Sequence, residues 1–197
     1  DRLAFSCLCE LDKQGNITDY KFAKTVIRSR VKGVYSEINS LLAGSDDAEL
    51  KEKYAEVSGQ LPIIKELADI LYTNKKNRGC PELETSESKL IINDEDICVG
   101  VERRTRGRSE EIIEDFMLVA NECAARFGMD NNLPFVYRIH EEPSDEKLES
   151  LREALVKLNV QYKLGEKACP GDMSEILKAA KGTDIDLIMN NIVLRSM

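Results

Sequence analysis

Two runs of alternating side chains, residues 3–11 and 17–28, are joined by the short connection Lys13-Gln14-Gly15-Asn16. Gly and Asn there supply backbone conformations that turn a chain straight back on itself, so the pattern predicts an antiparallel hairpin at the outset. A second pair, residues 88–93 and 97–102 around Asn93-Asp94-Glu95-Asp96, repeats the device. A further short strand is expected over 135–139. Strands interspersed with long helical stretches predict an α/β (α+β mixed) fold, with a mixed sheet flanked by helices.

The helices announce themselves by periodicity and by their ends. From Tyr35 the spacing of Ile38, Leu41 and Leu42 gives one apolar side before Gly44. Ser45-Asp46-Asp47 then opens a helical region that runs to about Asn77, with Pro62 expected to kink or split it. Arg78-Gly79-Cys80-Pro81 is a break. Ile112, Ile113, Phe116, Ala120 and Cys123 recur at helical spacing, which predicts an amphipathic helix from Ser109 to about Phe127 capped by Gly128. Pro143-Ser144-Asp145-Glu146 starts another to about Leu158, and two more cover about 172–181 and 184–197. Asp1 is no initiator methionine, and Met197 closes an apolar helical pattern without a stop signal, so the chain reads as a slice of a larger protein.

Composition narrows the function classes. The 197 residues suit one domain, and 42% hydrophobic side chains suffice for one sizeable core. No apolar run approaches the roughly 20 residues of a membrane span, and no signal-peptide pattern opens the chain. A net charge of −8 argues on its own against a nucleic-acid-binding module and for an acidic cytoplasmic domain.

Six cysteines (Cys7, Cys9, Cys80, Cys98, Cys123 and Cys169) and one histidine, His140, lack the grouping of a structural zinc site. They read as buried free thiols in a reducing compartment, with Cys7 and Cys9 on one strand face. Asp46-Asp47 reads as a helix start and Asp94-Glu95-Asp96 as a turn, so neither is a metal site. Arg103, Arg104, Arg106 and Arg108 precede a helix and could grip phosphates, or balance Glu102, Glu110 and Glu111 on a solvated face. Tyr35 could stack on a base or simply pack at a strand-to-helix junction. Glu114, beside Ile113 and Phe116, falls within the apolar stripe, where a carboxylate needs a partner. His140 reads as structural.

A wider set of residues carries a resemblance. Asp1-Arg2-Leu3 opens the strand pair, Ile27-Arg28-Ser29 leads to Tyr35, and Arg78-Gly79 marks the break. To these add Ile113-Glu114-Asp115-Phe116-Met117-Leu118-Val119-Ala120-Asn121, Tyr137-Arg138-Ile139-His140-Glu141-Glu142-Pro143 through Glu146-Lys147-Leu148, and the closing Leu194-Arg195-Ser196-Met197. In this order and spacing they resemble the ribonuclease II/ribonuclease R family, on its ribonuclease R side, along essentially the whole chain.

The resemblance implies that residues 1–197 are a single partial RNB domain, the central portion of the catalytic domain of a 3′→5′ exoribonuclease. Such enzymes degrade single-stranded RNA processively to nucleoside 5′-monophosphates with magnesium. It further implies that the magnesium-binding Asp cluster lies upstream and an assisting Arg motif downstream, leaving this segment no catalytic or metal-binding residue of its own. What the segment holds, on this resemblance, is RNA positioning. Tyr35 matches a base-stacking tyrosine, and Glu114 a helical glutamate at the RNA end. Lys32 stands where an arginine is usual, and Leu83 where a second stacking aromatic is usual. Arg106 falls near an arginine that precedes the Glu114 helix. The competing expectation is an RNB-derived domain without catalysis, serving as an RNA-binding or protein-interaction scaffold. Neither reading gives the oligomeric state.

Overall fold

A computed structural model describes residues 1–83, 87–104, 106–139 and 141–197, without the side chains of Glu87 and Arg104. It divides into two compact units, one of residues 1–74 and 106–137, the other of residues 75–105 and 138–197. The expected mixture of helices and strands is present. The expected mixed sheet is not: the described strands form two separate two-stranded antiparallel ribbons. Each is closed by a local turn, and local turns pair neighbouring strands antiparallel.

In the first unit, β1 (Arg2–Leu11) pairs with β2 (Ile17–Ile27). The turn is organised by Asp12, whose carboxylate accepts from the backbone N–H of Gln14 at 2.9 Å and of Asn16 at 2.8 Å. Gly15 sits at φ 80°, in the left-handed region that glycine enters without cost. Cys7 and Cys9 do share a face, which meets Cys123 of helix α4 (Arg108–Asp130), with Cys9 and Cys123 sulfurs 3.7 Å apart. On the same face Phe22 stacks on Phe5 and meets Phe127 edge-on, with centroids 5.7 and 5.6 Å apart. The cysteines are free, but the expectation that they are buried holds only for Cys123; Cys80, Cys98 and Cys169 are exposed. Those three occupy loop or ribbon positions with no apolar layer over them.

Helix α1 (Tyr35–Leu42) and helix α2 (Ala48–Lys53) follow, then a 3-10 turn Ser58–Gln60 and helix α3 (Leu61–Asn77). Asp47 caps α2 by accepting from the N–H groups of Glu49 and Leu50, as the acidic helix start implied. Pro62 lies in the first turn of α3 and so begins a helix, where its missing N–H costs nothing. Gly128 is no cap. Helix α4 continues past it to Asp130, and a Cβ on Gly128 would stand 2.7 Å from the Tyr137 hydroxyl and 3.0 Å from Phe135. This glycine lets residues 135–137 close over the helix. The strand expected over 135–139 is absent among the described residues, because that segment packs its rings on α4 and has no ladder partner.

In the second unit, β3 (Glu87–Ile92) pairs with β4 (Cys98–Arg104). Asn93 shapes the turn by accepting from the N–H groups of Glu95 and Ile97, and Asp96 takes φ 60°. The acids there serve the turn, as expected. Helices α5 (Asp145–Lys157), α6 (Pro170–Ala180) and α7 (Asp186–Ser196) enclose a core of Leu148, Leu151, Leu155, Met173, Ile176, Met189 and Val193. The break at Gly79 has a steric reason: a Cβ there would lie 2.9 Å from the backbone of Gly171.

Candidate functional site

Four of the five residues assigned to RNA, Lys32, Tyr35, Arg106 and Glu114, belong to the first unit. Lys32 sits in the extended link between β2 and α1; it is exposed and, among the described residues, forms no ion pair. Its neighbours in that link are engaged, Arg28 with Asp1 at 2.7 Å and Arg30 with Glu56 at 3.1 Å. Lys32 is therefore the link's uncommitted cation.

Tyr35 is the first residue of α1 and is 46% exposed, so part of the residue is open to solvent. Its backbone is fixed on both sides. The preceding Val34 donates its N–H to the hydroxyl of Tyr54 at 3.0 Å, and that hydroxyl donates in turn to Glu37. Tyr54 itself is buried at 1% exposure, so the post that holds the helix entry is rigid. Lys53 also reaches Glu37 at 2.6 Å, and these hydrogen bonds from Lys53 and Tyr54 hold the Glu37 carboxyl below its ordinary value. On its other side, the carbonyl of Tyr35 accepts from the hydroxyl of Ser109 at 3.0 Å.

Ser109 is the second residue of helix α4, which carries Glu114 five residues on, about 7.5 Å of helix rise. The carboxylate of Glu114 is about half exposed and pairs with Arg106 at 3.1 Å. It does not lie in the buried stripe, contrary to the sequence expectation. That position belongs to its neighbour Asp115, 3% exposed, in phase with buried Ser109 and Ile112. The stripe was misplaced by one residue because Ile113, 44% exposed, passed for a core residue. The three-residue step from Ile112 was the signal that could have found Asp115.

The arginine run does not act as one phosphate grip. Arg108 pairs with Asp69 at 2.6 Å and with Glu111 at 2.9 Å, and lies over the ring of Tyr72. Burial alone lowers its basicity, but hydrogen bonds to Glu111 and Asp69 more than offset this and raise it. It ties α4 to α3 rather than facing a ligand. Arg103 lies on β4 opposite Ser88, in the other unit. Leu83, the fifth assigned residue, also belongs there, partly buried against the helical core. His140 lies outside the described residues.

No group of three or more His, Cys, Asp or Glu side chains able to hold a metal ion occurs among the described residues. Among the described residues, therefore, no donor set fits a catalytic metal centre. No helix among the described residues is long and apolar enough to cross a membrane.

Tyr35 at the entry of α1, the Arg106-paired Glu114 on α4 and Lys32 in the link before α1 thus all belong to the first unit. The family model for the RNB domain matches residues 1–197, and the chain belongs to that family. Among curated proteins it is 33% identical over 201 residues to ribonuclease R 1 of Lactococcus lactis, covering 100% of this chain and 24% of that protein. It is 32% identical to the ribonuclease R of Thermotoga maritima and of Escherichia coli, again over 100% of the chain, covering 28% and 24% of those proteins. The chain thus spans about a quarter of the length of these relatives. A solved structure of Mycoplasma genitalium RNase R in complex with ribose-methylated single-stranded RNA shares the fold, with TM-score 0.89 at 24% identity. The match covers 99% of this chain and 30% of that one.

Proposed function

We propose that this chain is the RNA-end-positioning part of a ribonuclease R-like 3′→5′ exoribonuclease, which degrades single-stranded RNA processively to nucleoside 5′-monophosphates. The observation that carries the reading is the fixed, half-exposed Tyr35, bonded through its carbonyl to the helix that presents Glu114. On this reading Tyr35 stacks on the terminal base, and Glu114, oriented by Arg106, accepts from a sugar hydroxyl. Lys32 supplies a point charge to a phosphate, without the fork that an arginine would bring. Leu83 presses on a base by apolar contact, lacking a π face. Fixing the last nucleotide in this way contributes to catalysis by removing orientational freedom before the chemical step.

The whole 1–197 stretch acts in this reading as part of one RNB domain, although it divides into two compact units. Hydrolysis calls for divalent ions, here magnesium, held by carboxylates elsewhere in the polypeptide. The compartment that fits the substrate and the free thiols is the cytoplasm.

The test is a digestion of 5′-labelled single-stranded RNA by the full-length polypeptide, with magnesium and with chelator. The proposal expects a magnesium-dependent ladder shortening from the 3′ end with mononucleotide release. RNA retained without shortening would instead support the non-catalytic scaffold. The isolated residues 1–197 are expected to release no mononucleotide, and magnesium-dependent release by them would contradict the division of labour.

A further inference from the structure

Helix α1 has no fully buried residue, and at eight residues it is too short to persist alone. Yet it carries Tyr35, whose ring must be held still to stack on anything. The polar contacts between α1 and the start of α4 answer this. Asn39, one turn beyond Tyr35, faces the first turn of α4 through both ends of its amide. Its Oδ1 accepts from the backbone N–H of Ser109 at 2.8 Å, and its Nδ2 donates to Glu110 Oε2 at 3.0 Å. The same Glu110 oxygen accepts from the N–H of Gly107 at 3.1 Å, closing the helix cap. The Ser109 hydroxyl stands 3.0 Å from the Tyr35 carbonyl and 3.1 Å from Glu110 Oε2, one proton between two acceptors. Ser109 is buried at 5% exposure, so water does not readily take its place.

The fit leaves no slack. A Cβ on Gly107 would lie 2.0 Å from Asn39 Nδ2, so the absent side chain is what admits the amide. Asn39 spends both of its polar atoms on the N-terminus of the helix that carries Glu114. The orphan N–H of Ser109 at that terminus, which a cap or water would otherwise satisfy, is here satisfied by another helix.

We propose that Asn39 and Ser109 are positioning residues, which fix the main chain of Tyr35 against helix α4 and so set the stacking ring and Glu114 in one register on the RNA end. The proposal rests on the function proposed above. It adds that the two contacts with RNA are coupled through the Asn39–Ser109–Glu110 bonds rather than placed independently. Loosening either partner degrades the hold on the terminal nucleotide even though neither touches RNA.

The experiment uses the full-length polypeptide and labelled single-stranded RNA, with Tyr35→Ala, Asn39→Ala, Ser109→Ala and the double variant Tyr35→Ala/Asn39→Ala. End-product length is the readout, because a merely destabilised protein turns over less RNA but stops at the same length. Asn39→Ala and Ser109→Ala are expected to lengthen the end products in the sense of Tyr35→Ala. Removal of the final nucleotides should slow about tenfold, the scale of one lost hydrogen bond. The double variant is expected to match Tyr35→Ala alone, since without the ring there is no register left between it and Glu114 to set. Lengthening in Tyr35→Ala with wild-type end products in Asn39→Ala and Ser109→Ala overturns the inference and leaves the RNA-end reading standing. Wild-type end products in Tyr35→Ala overturn both. If Asn39→Ala does not yield folded protein, Ser109→Ala, which removes a single hydroxyl, decides by the same criterion.

Discussion

Gly107→Ala inserts one methyl group where the structure has no room for it. The new Cβ would stand 2.0, 2.5 and 2.7 Å from Asn39 Nδ2, Cγ and Oδ1. Gly107 itself is extended, at φ −105° and ψ 177°, a conformation alanine adopts freely, so the cost arises from the contact and not from the backbone. Asn39 must swing away, which breaks its bond from the Ser109 N–H at 2.8 Å and its bond to Glu110 at 3.0 Å. A neutral hydrogen bond contributes about 1 kcal/mol and one to a carboxylate about 1.5–3, so the α1–α4 clamp weakens by about 2.5–4 kcal/mol. At 1.4 kcal/mol per decade, local opening becomes about 60- to 700-fold more frequent. Native-state amide hydrogen exchange of the full-length protein reads this directly in peptides spanning 35–42 and 107–112. The double variant Asn39→Ala/Gly107→Ala should cost no more than Asn39→Ala alone, because the side chain the methyl strikes is gone. Exchange in Gly107→Ala within threefold of wild type would refute the reasoning, as would additive costs in the double variant.

Three further outcomes follow from the same structure. Burial raises the Glu110 carboxyl, but hydrogen bonds from Asn39, the backbone and Ser109 outweigh it and leave the group below its ordinary 4.5. The clamp is thus at full strength above about pH 4.5 and loosens as pH falls through the depressed value; hydrogen exchange in 35–42 should accelerate there in wild type, and Glu110→Gln should flatten that dependence. Tyr162 donates to Asp172, and that bond, with burial, lifts its phenol to about 12. The phenol's contribution is present below about pH 10 and lost as pH rises through about 12, so the ultraviolet difference titration between wild type and Tyr162→Phe should show that late ionisation, and a transition near pH 10 would refute it. Burial pushes the thiols of Cys7, Cys9 and Cys123 up. A thiol-specific reagent read by peptide mass spectrometry should therefore label exposed Cys80, Cys98 and Cys169 first and Cys123 last, and early labelling of Cys123 would contradict the packing of β1 on α4.

The hairpins were legible because their information is local: alternation fixes the strand and a few turn residues fix the reversal. Even so, Asp12, which ties the first turn together, lies just outside the Gly15-Asn16 signal and carries no mark of that role in the sequence. Helix α4 was legible in extent but not in phase, since an amphipathic stripe rich in partly exposed Ile113, Met117 and Leu118 tolerates a shift of one residue. That shift drew attention to Glu114 for a burial that belongs to Asp115. Gly128 looked like a stop because glycine commonly is one; its actual role depends on Tyr137 and Phe135 approaching the helix. The arginine run looked like one feature in sequence and became separate ones in space, with Arg108 spoken for by Asp69. Least legible was the clamp itself. Asn39 and Ser109 are ordinary polar residues some 70 positions apart, and nothing in either neighbourhood announces the other. Pattern reveals faces of elements; it does not reveal which polar groups meet across them.

In the proposed function Tyr35 holds the RNA end. The most direct measurement is the end-product length left by the full-length Tyr35→Ala protein on 5′-labelled single-stranded RNA, against wild type at equal protein concentration. A longer limit product is expected, because the last few nucleotides lose their stacking anchor while longer RNA keeps its remaining contacts. A limit product of wild-type length would contradict it.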